Sequence, residues 1–145
     1  MIRYTTDMDM IEADQLRGFF VGWPVPPSAD KHLAVLRGSH RTVVAMDESG
    51  RVVGFVNMIS DGVLTAFIPW LEVLPEYQGQ GIGTELVRRI LAEAGDLYSV
   101  DLVCDPPLRP YYERLGMSPL QGMGLRSPAA LRDRPGPAET VPEDR

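Results

Sequence analysis

Cysteine is almost absent from this chain, with one, Cys104, in 145 residues. A single thiol excludes an internal disulfide and a cysteine-rich zinc site. Histidine is nearly as scarce: His32 and His40 stand eight positions apart, which is no recognised ligand spacing, and no metal is expected. Lysine is scarcer still. Lys31 is the only lysine among 14 basic residues, set against 20 acidic ones, for a formal net charge of -6. The dense basic footprint that neutralises a nucleic-acid backbone is therefore missing, and general nucleic-acid binding is not expected. A single phosphorylated ligand stays compatible, because backbone amides hold phosphate without net positive charge. No stretch approaches the roughly 18 apolar residues of a membrane span. Met1-Ile2-Arg3-Tyr4 runs directly into mixed polar sequence, unlike a signal peptide, so the expected compartment is the cytoplasm, away from membranes.

The composition, 44% hydrophobic and 23% charged, fits one globular domain. Residues 2–5 read as a short strand. Met8, Ile11, Leu16 and Phe19 recur at mostly helical spacing, which predicts a helix over Asp7–Phe20. The prolines of Trp23-Pro24-Val25-Pro26-Pro27 stop it, and Ser28 caps a second short helix. A β-meander follows in three runs: Thr42–Met46, Arg51–Ile59 and Val63–Val73, separated by the turns Asp47-Glu48-Ser49-Gly50 and Asp61-Gly62. Pro69 inside the third run cannot donate to a ladder and predicts a bulge. Plain alternation along that run puts Phe67, Pro69, Leu71 and Val73 on one face, with Ala66, Ile68, Trp70 and Glu72 on the other. The strongest helical stripe spans Gly81–Ala94. Ser99–Cys104 reads as a strand, Pro106–Leu115 as a short helical segment closed by Gly116, and Met117–Arg126 as a returning strand. Ser127–Arg145, with four prolines and few large apolar groups, reads as a flexible tail.

Gln78-Gly79-Gln80-Gly81-Ile82-Gly83-Thr84 joins the third β run to the best helix. A glycine costs about 1 kcal/mol relative to alanine within a helix, so three at alternate positions need a reason. One is a tight strand-to-helix turn; the other is close approach of an anion to free amides at the positive helix end. The turn lacks the lysine of a nucleotide-hydrolase loop. Its glycine spacing and the preceding meander also differ from the dinucleotide fingerprint.

Gln78, Gly81 and Gly83 match the pattern Gln/Arg-x-x-Gly-x-Gly/Ala, with Val73 and Pro75 as counterparts of a preceding valine and proline. Tyr111-Tyr112-Glu113-Arg114-Leu115-Gly116-Met117 is similar to a Phe-Tyr-Glu-Lys-x-Gly-Phe segment. Together these resemble the GCN5-related N-acetyltransferase superfamily, over residues 1–126. The resemblance implies an α/β fold, a twisted and mostly antiparallel sheet flanked by helices, with a splayed central strand pair. It implies acetyl-coenzyme A as acyl donor and no metal. Amides of Gln78, Gly79, Gln80, Gly81, Ile82, Gly83 and Thr84 would receive the pyrophosphate, while Leu71 and Val73 would align the pantetheine arm. Asp105 stands where many relatives place an asparagine near that arm. Tyr112 is implied as the proton donor to the departing thiolate, with Tyr111 as a packing neighbour. Glu72 is the candidate base, or a group that orients water or acceptor. Asp61 is the weaker alternative, and Phe67 occupies the position of the glutamate base of histone-modifying relatives. Cys104 has no adjacent histidine and reads as a strand residue.

The expected reaction is direct transfer of acetyl to a primary amine, on a small molecule or a peptide. Phe19, Phe20, Trp23 and Trp70 could wall the acceptor pocket or simply fill the core. A homodimer is possible. Two other readings stay open: a non-catalytic acyl-coenzyme A-binding or regulatory module, and a structural interaction domain using Trp23 and Trp70.

Overall fold

The computed structural model describes residues 1–133. The part of the expected tail at 134–145 lies outside the described residues. Six strands form one sheet: β1 (Arg3–Thr5), β2 (Arg41–Met46), β3 (Val52–Ser60), β4 (Thr65–Phe67), β5 (Leu71–Val73) and β6 (Ser99–Asp101). Three helices accompany them: α1 (Ala29–Gly38), α2 (Ile82–Glu93) and α3 (Arg109–Glu113). The order is β1-β2-β3-β4-β6, with β5 also paired to β3. Every pairing is antiparallel except that of β4 with β6. The expected flanked, mostly antiparallel sheet is therefore present. No helix among the described residues is long and apolar enough to cross a membrane.

β3 organises the sheet because it is long and buried for most of its length. One face turns to α2, which buries Ile82, Leu86, Val87 and Ile90. The other carries Phe55 against Phe19, Phe20 and His32, with ring centroids 5.2, 6.0 and 4.4 Å away. Gly54 of β3 lies under α2. A Cβ there would stand 3.0 Å from Leu86 Cδ1 and 3.4 Å from both Ile82 Cγ2 and the Glu72 carbonyl oxygen. The missing side chain lets the first turns of α2 lie directly on the sheet.

Three expectations need correction. Residues 7–20 form no continuous helix, only 3-10 turns at Met8–Met10 and Ala13–Gln15. Polar side chains restart the chain twice: the Asp7 carboxylate accepts from Asp9 N–H at 3.1 Å, and Gln15 Oε1 accepts from Glu12 N–H at 2.8 Å. Arg37 then takes the carbonyls of Met8 and Ile11 at 3.3 and 2.8 Å. The spacing still reports burial correctly, since Met8, Ile11, Leu16, Phe19 and Phe20 are all in the core.

The run Val63–Val73 is two strands. Ile59 of β3 faces Phe67, whereas Asn57 bonds to Trp70, so a two-residue step on β3 opposes a three-residue step across from it. That extra residue is a β-bulge at 68–69, where Pro69 has no N–H to give. The bulge reverses the alternation, placing Phe67 on the same side as Trp70 and Glu72 rather than with Leu71 and Val73.

Met117–Arg126 forms no strand within the described chain. Pro119 and the spaced glycines Gly122 and Gly124 weaken strand formation, and no neighbour pairs with the segment. The start of the expected tail is ordered by side-chain contacts: Pro128–Leu131 is a 3-10 turn, and Lys31 Nζ donates to Ala130 O at 3.3 Å.

His32 makes stability depend on pH. It is 1% exposed, ringed by Phe19, Phe20 and Phe55, and its Nε2 has no partner. Burial among these rings lowers its pKa to about 4, below the unfolded value near 6.5. The unfolded chain thus takes up the proton first, and stability present above pH 6.5 drains away as pH falls toward 4. The full loss is about 3 kcal/mol, most of it gone by pH 5. Urea denaturation at pH 7.5 and 5 should show this loss in the natural chain and a much smaller one in His32→Leu. Equal pH dependence in both would contradict it.

Candidate active site

The end of β5 and the start of α2 meet because Gly54 allows it. Leu74 N–H donates to Val53 O at 2.9 Å, and Asn57 N–H donates to Trp70 O at 3.2 Å. Bonded and non-bonded pairs alternate in an antiparallel ladder, so within β5 only Glu72, opposite Phe55, exchanges bonds with β3. The peptide groups of Leu71 and Val73 point the other way, toward the side where β6 would continue. β6 does not follow. Ile68 N–H closes on Asp101 O at 2.9 Å, and beyond that bond β6 pairs with nothing on β5. The bulge at Pro69 therefore opens the sheet into a V. Val73 O is taken by Gln78 Nε2 at 3.0 Å, which leaves the N–H groups of Leu71 and Val73 unpaired along the gap.

The glycine turn closes one end of this V. Pro75–Tyr77 forms a 3-10 turn, followed by Gly79 and Gly81 in left-handed conformations, φ 80° and 83°. Gly81 caps α2 without any side-chain hydrogen bond, and the first helical bond runs from Glu85 N–H to Gly81 O at 3.1 Å. The amides of Ile82, Gly83 and Thr84 therefore keep their hydrogens free. A Cβ at Gly79 or Gly81 would meet nothing within 4 Å, whereas one at Gly83 would lie 3.7 Å from Val73 Cγ2 and 3.8 Å from the Tyr111 hydroxyl oxygen. The turn is braced from behind: Tyr77 OH donates to Asp47 at 2.9 Å, and Arg51 pairs with Glu76 at 3.4 Å. Asp47, which also accepts from Ser49, is held down to about 2 by these hydrogen bonds.

α3 reaches the same place from the far arm of the V. Asp105 begins the turn Pro106–Leu108; it is exposed and makes no side-chain cap bond. A Schellman pair ends α3, with Gly116 at φ 94°, Met117 N–H bonded to Tyr112 O at 3.2 Å and Gly116 N–H to Glu113 O at 3.0 Å. Tyr111, read from sequence as a packing neighbour, donates its hydroxyl to Thr84 Oγ1 at 3.2 Å, next to Gly83. Its ring lies edge-on to Tyr112 at 4.9 Å. Burial, reinforced by the neighbouring Tyr111 and Cys104, pushes the Tyr112 hydroxyl up to about 12. Tyr112 is thus protonated across the neutral range and lies near Cys104, in the irregular segment that follows β6.

Glu72 sits on the opposite face, away from the open amides. Its two oxygens accept from Phe20 N–H at 2.8 Å and Val21 N–H at 3.2 Å. Phe20 has a φ of 62°, a left-handed conformation costing a non-glycine residue roughly 1–2 kcal/mol. The carboxylate pins that strained turn, which leads into Trp23, stacked edge-on with Phe20 at 4.9 Å and with Trp70 at 5.1 Å. Sequence puts Trp70 two positions from Glu72 but gives no sign of that carboxylate's backbone bonds to Phe20 and Val21. Asp61 accepts from Val63, Leu64 and Thr65 N–H, which lowers its pKa and makes it a turn anchor. No group of three potential metal ligands exists among the described residues.

Replacing Glu72 by glutamine leaves one acceptor for two amides. Glu72→Gln should lower stability by about 1–3 kcal/mol at neutral pH, with the loss located by increased hydrogen exchange at Phe20 and Val21. Unchanged protection of those two amides would contradict the assignment.

Comparison with known proteins agrees with this geometry. The sequence profile of the Acetyltransferase (GNAT) family matches residues 8–117. GCN5-related N-acetyltransferase 3, chloroplastic, of Arabidopsis thaliana is 40% identical over 70 residues, covering 47% of this chain and 30% of that protein. The uncharacterized N-acetyltransferase ycf52 of Porphyra purpurea is 25% identical over 118 residues, 77% of this chain and 66% of its own. The chain thus spans less than two thirds of the length of either curated relative. A crystal structure of an acetyltransferase candidate from Deinococcus radiodurans R1 superposes with a TM-score of 0.89 at 43% identity, covering 93% of this chain and 94% of that one. The chain belongs to the GNAT acetyltransferase family, whose fold implies acetyl-coenzyme A as the donor.

Proposed function

We propose that this chain transfers an acetyl group from acetyl-coenzyme A to a primary amine by direct attack, without a metal. The observation that carries this is the uncapped start of α2 set at the mouth of the V, with the free amides of Leu71 and Val73 along one arm. Acetyl-coenzyme A supplies a thioester carbonyl as electrophile and a thiolate as leaving group. The amides of Gly81, Ile82, Gly83 and Thr84 offer its diphosphate several donors at a helix N-terminus, where about half a positive charge is concentrated. Gln78, Gly79 and Gln80 shape the approach, and Asp105 borders the other arm. The extended amides of β5 suit the amide-bearing pantetheine arm, which pairs with backbone as a strand would.

Tyr112 serves as the proton donor to the leaving sulfur. A hydroxyl near 12 facing a thiol of about 8.5 makes complete transfer uphill by roughly 5 kcal/mol in the free protein. Its contribution begins as a hydrogen bond that strengthens as charge develops on sulfur, and the proton passed to sulfur as the C–S bond breaks is returned to Tyr112 by the solvent that takes up the amine proton. Glu72, committed to two backbone amides, positions the Phe20–Trp23 wall of the acceptor side, and solvent carries away the amine proton. That wall and the acidic net charge suit an amine on an apolar body.

An amine panel with detection of free thiol and product mass tests the activity. Tyr112→Phe should retain coenzyme A affinity and lose about 10²-fold or more in kcat. The kcat/KM of the natural chain should rise with pH as the amine deprotonates and show no alkaline fall traceable to Tyr112 below about pH 11. Tight coenzyme A binding without turnover on any amine would instead favour the regulatory module.

A further inference from the structure

β3 runs on past the end of α1 and leaves part of one sheet face uncovered. Phe55 and Asn57 lie under α1, where Asn57 Nδ2 donates to Ser39 Oγ, just beyond the last helical residue, at 3.0 Å. Alternation puts Ile59 on the same face, past that contact. Ile59 is paired with Phe67 of β4, and Phe67 with Asp101 of β6. The face of the second pair is fixed two residues earlier, where Ser99 Oγ donates to Thr65 Oγ1 at 2.8 Å. Ile59, Phe67 and Asp101 therefore form one row across three strands spaced about 4.8 Å apart. Trp70 stands beside the row, beyond the bulge. Ile59, Phe67 and Trp70 are 56%, 39% and 37% exposed, whereas Met58 and Ala66 on the opposite face are buried.

The row ends at the apex of the V. The bond from Ile68 N–H to Asp101 O, at 2.9 Å, is the last between the two arms. A donor with its diphosphate at the start of α2 and its arm along Val73 and then Leu71 brings its thioester to that apex. The acceptor meets it from the exposed face, because buried side chains close the other. Charge on the exposed face says what the acceptor carries. β3, β4, β5 and β6 contain no lysine, arginine or histidine. Three carboxylates belong to these strands and to the turn joining β3 to β4. Asp61 is taken by three amides and Glu72 by two. Asp101 is partly exposed, and among the described residues its carboxylate has neither a hydrogen-bond donor nor an ion-pair partner. A free carboxylate in an apolar surface without cations complements a ligand that joins a cationic head to an apolar body.

We propose that Asp101 binds the acceptor by its ammonium group, with the acceptor's apolar body along Ile59, Phe67 and Trp70. This rests on the acetyl-transfer reading for the position of the thioester; the ammonium site itself is read from the side chains of the four strands. Once solvent has taken one proton from the ammonium, the carboxylate still accepts from a remaining N–H and turns the nitrogen lone pair toward the thioester carbon. Two amines of the same shape test the site on the full chain with coenzyme A in excess. 2-Phenylethylamine is cationic at neutral pH, and O-benzylhydroxylamine is uncharged there. By calorimetry, Asp101→Asn should weaken binding of 2-phenylethylamine about tenfold or more and leave that of O-benzylhydroxylamine unchanged. In the natural chain, added salt should weaken only the cationic amine, and Phe67→Ala should weaken both. These readouts are of binding, so binding that depends on Asp101 without any turnover would uphold the ammonium site and remove the transferase reading. Failure of both amines to bind the natural chain, or an equal response of the two to Asp101→Asn and to salt, would overturn the proposal.

Discussion

The site depends on the absence of one side chain, at Gly54. With no Cβ there, Ile82 and Leu86 come down close to the backbone of β3, and the start of α2 stands directly over the end of β5. Protein interiors tolerate little change in volume, so this contact fixes the helix terminus relative to the strand rather than merely allowing it. The opening on the other side of β5 is then set by Pro69, whose bulge sends β4 to β6 and leaves β5 with one free edge. Two backbone features, one absent side chain and one absent N–H, place two sets of amide donors around the same gap.

On this construction the proposed anion site needs no basic side chain. The donors are peptide groups and carry no formal charge, so a net charge of -6 does not contradict them. The braces behind the turn are polar but directed inward: Tyr77 to Asp47, Arg51 to Glu76, Gln78 to Val73. Tyr111 adds a tie from α3 to Thr84. Through that tie, the segment carrying Tyr112 is held to the helix that carries the free amides.

Much of this was legible in the sequence, for identifiable reasons. α2 announced itself by its apolar stripe, the meander by its β-branched runs and turns, the bulge by a proline inside a strand, and the end of α3 by Gly116. All these signals are local. The misread parts had local signals overruled by side chains. Asp7 and Gln15 cap turns within a helical spacing, so residues 7–20 bury the predicted residues without forming the predicted helix. Beyond Pro69 the alternation inverts, which moved Phe67 to the face of Trp70. The partners of Glu72 and Tyr111 lie 52 and 27 residues away, and no spacing rule reaches across such separations. Glu72 reads as a candidate base because a carboxylate beside a glycine turn suggests chemistry; in the fold its two oxygens accept from the backbone of Phe20 and Val21.

The free amides at the start of α2 are the claim on which the functional reading stands, and a nitrogen-15 amide spectrum titrated with coenzyme A addresses them one by one. The account predicts saturable shifts centred on Gly81, Ile82, Gly83 and Thr84, accompanied by Leu71 and Val73. Saturable binding that leaves those resonances in place and moves others instead would contradict it.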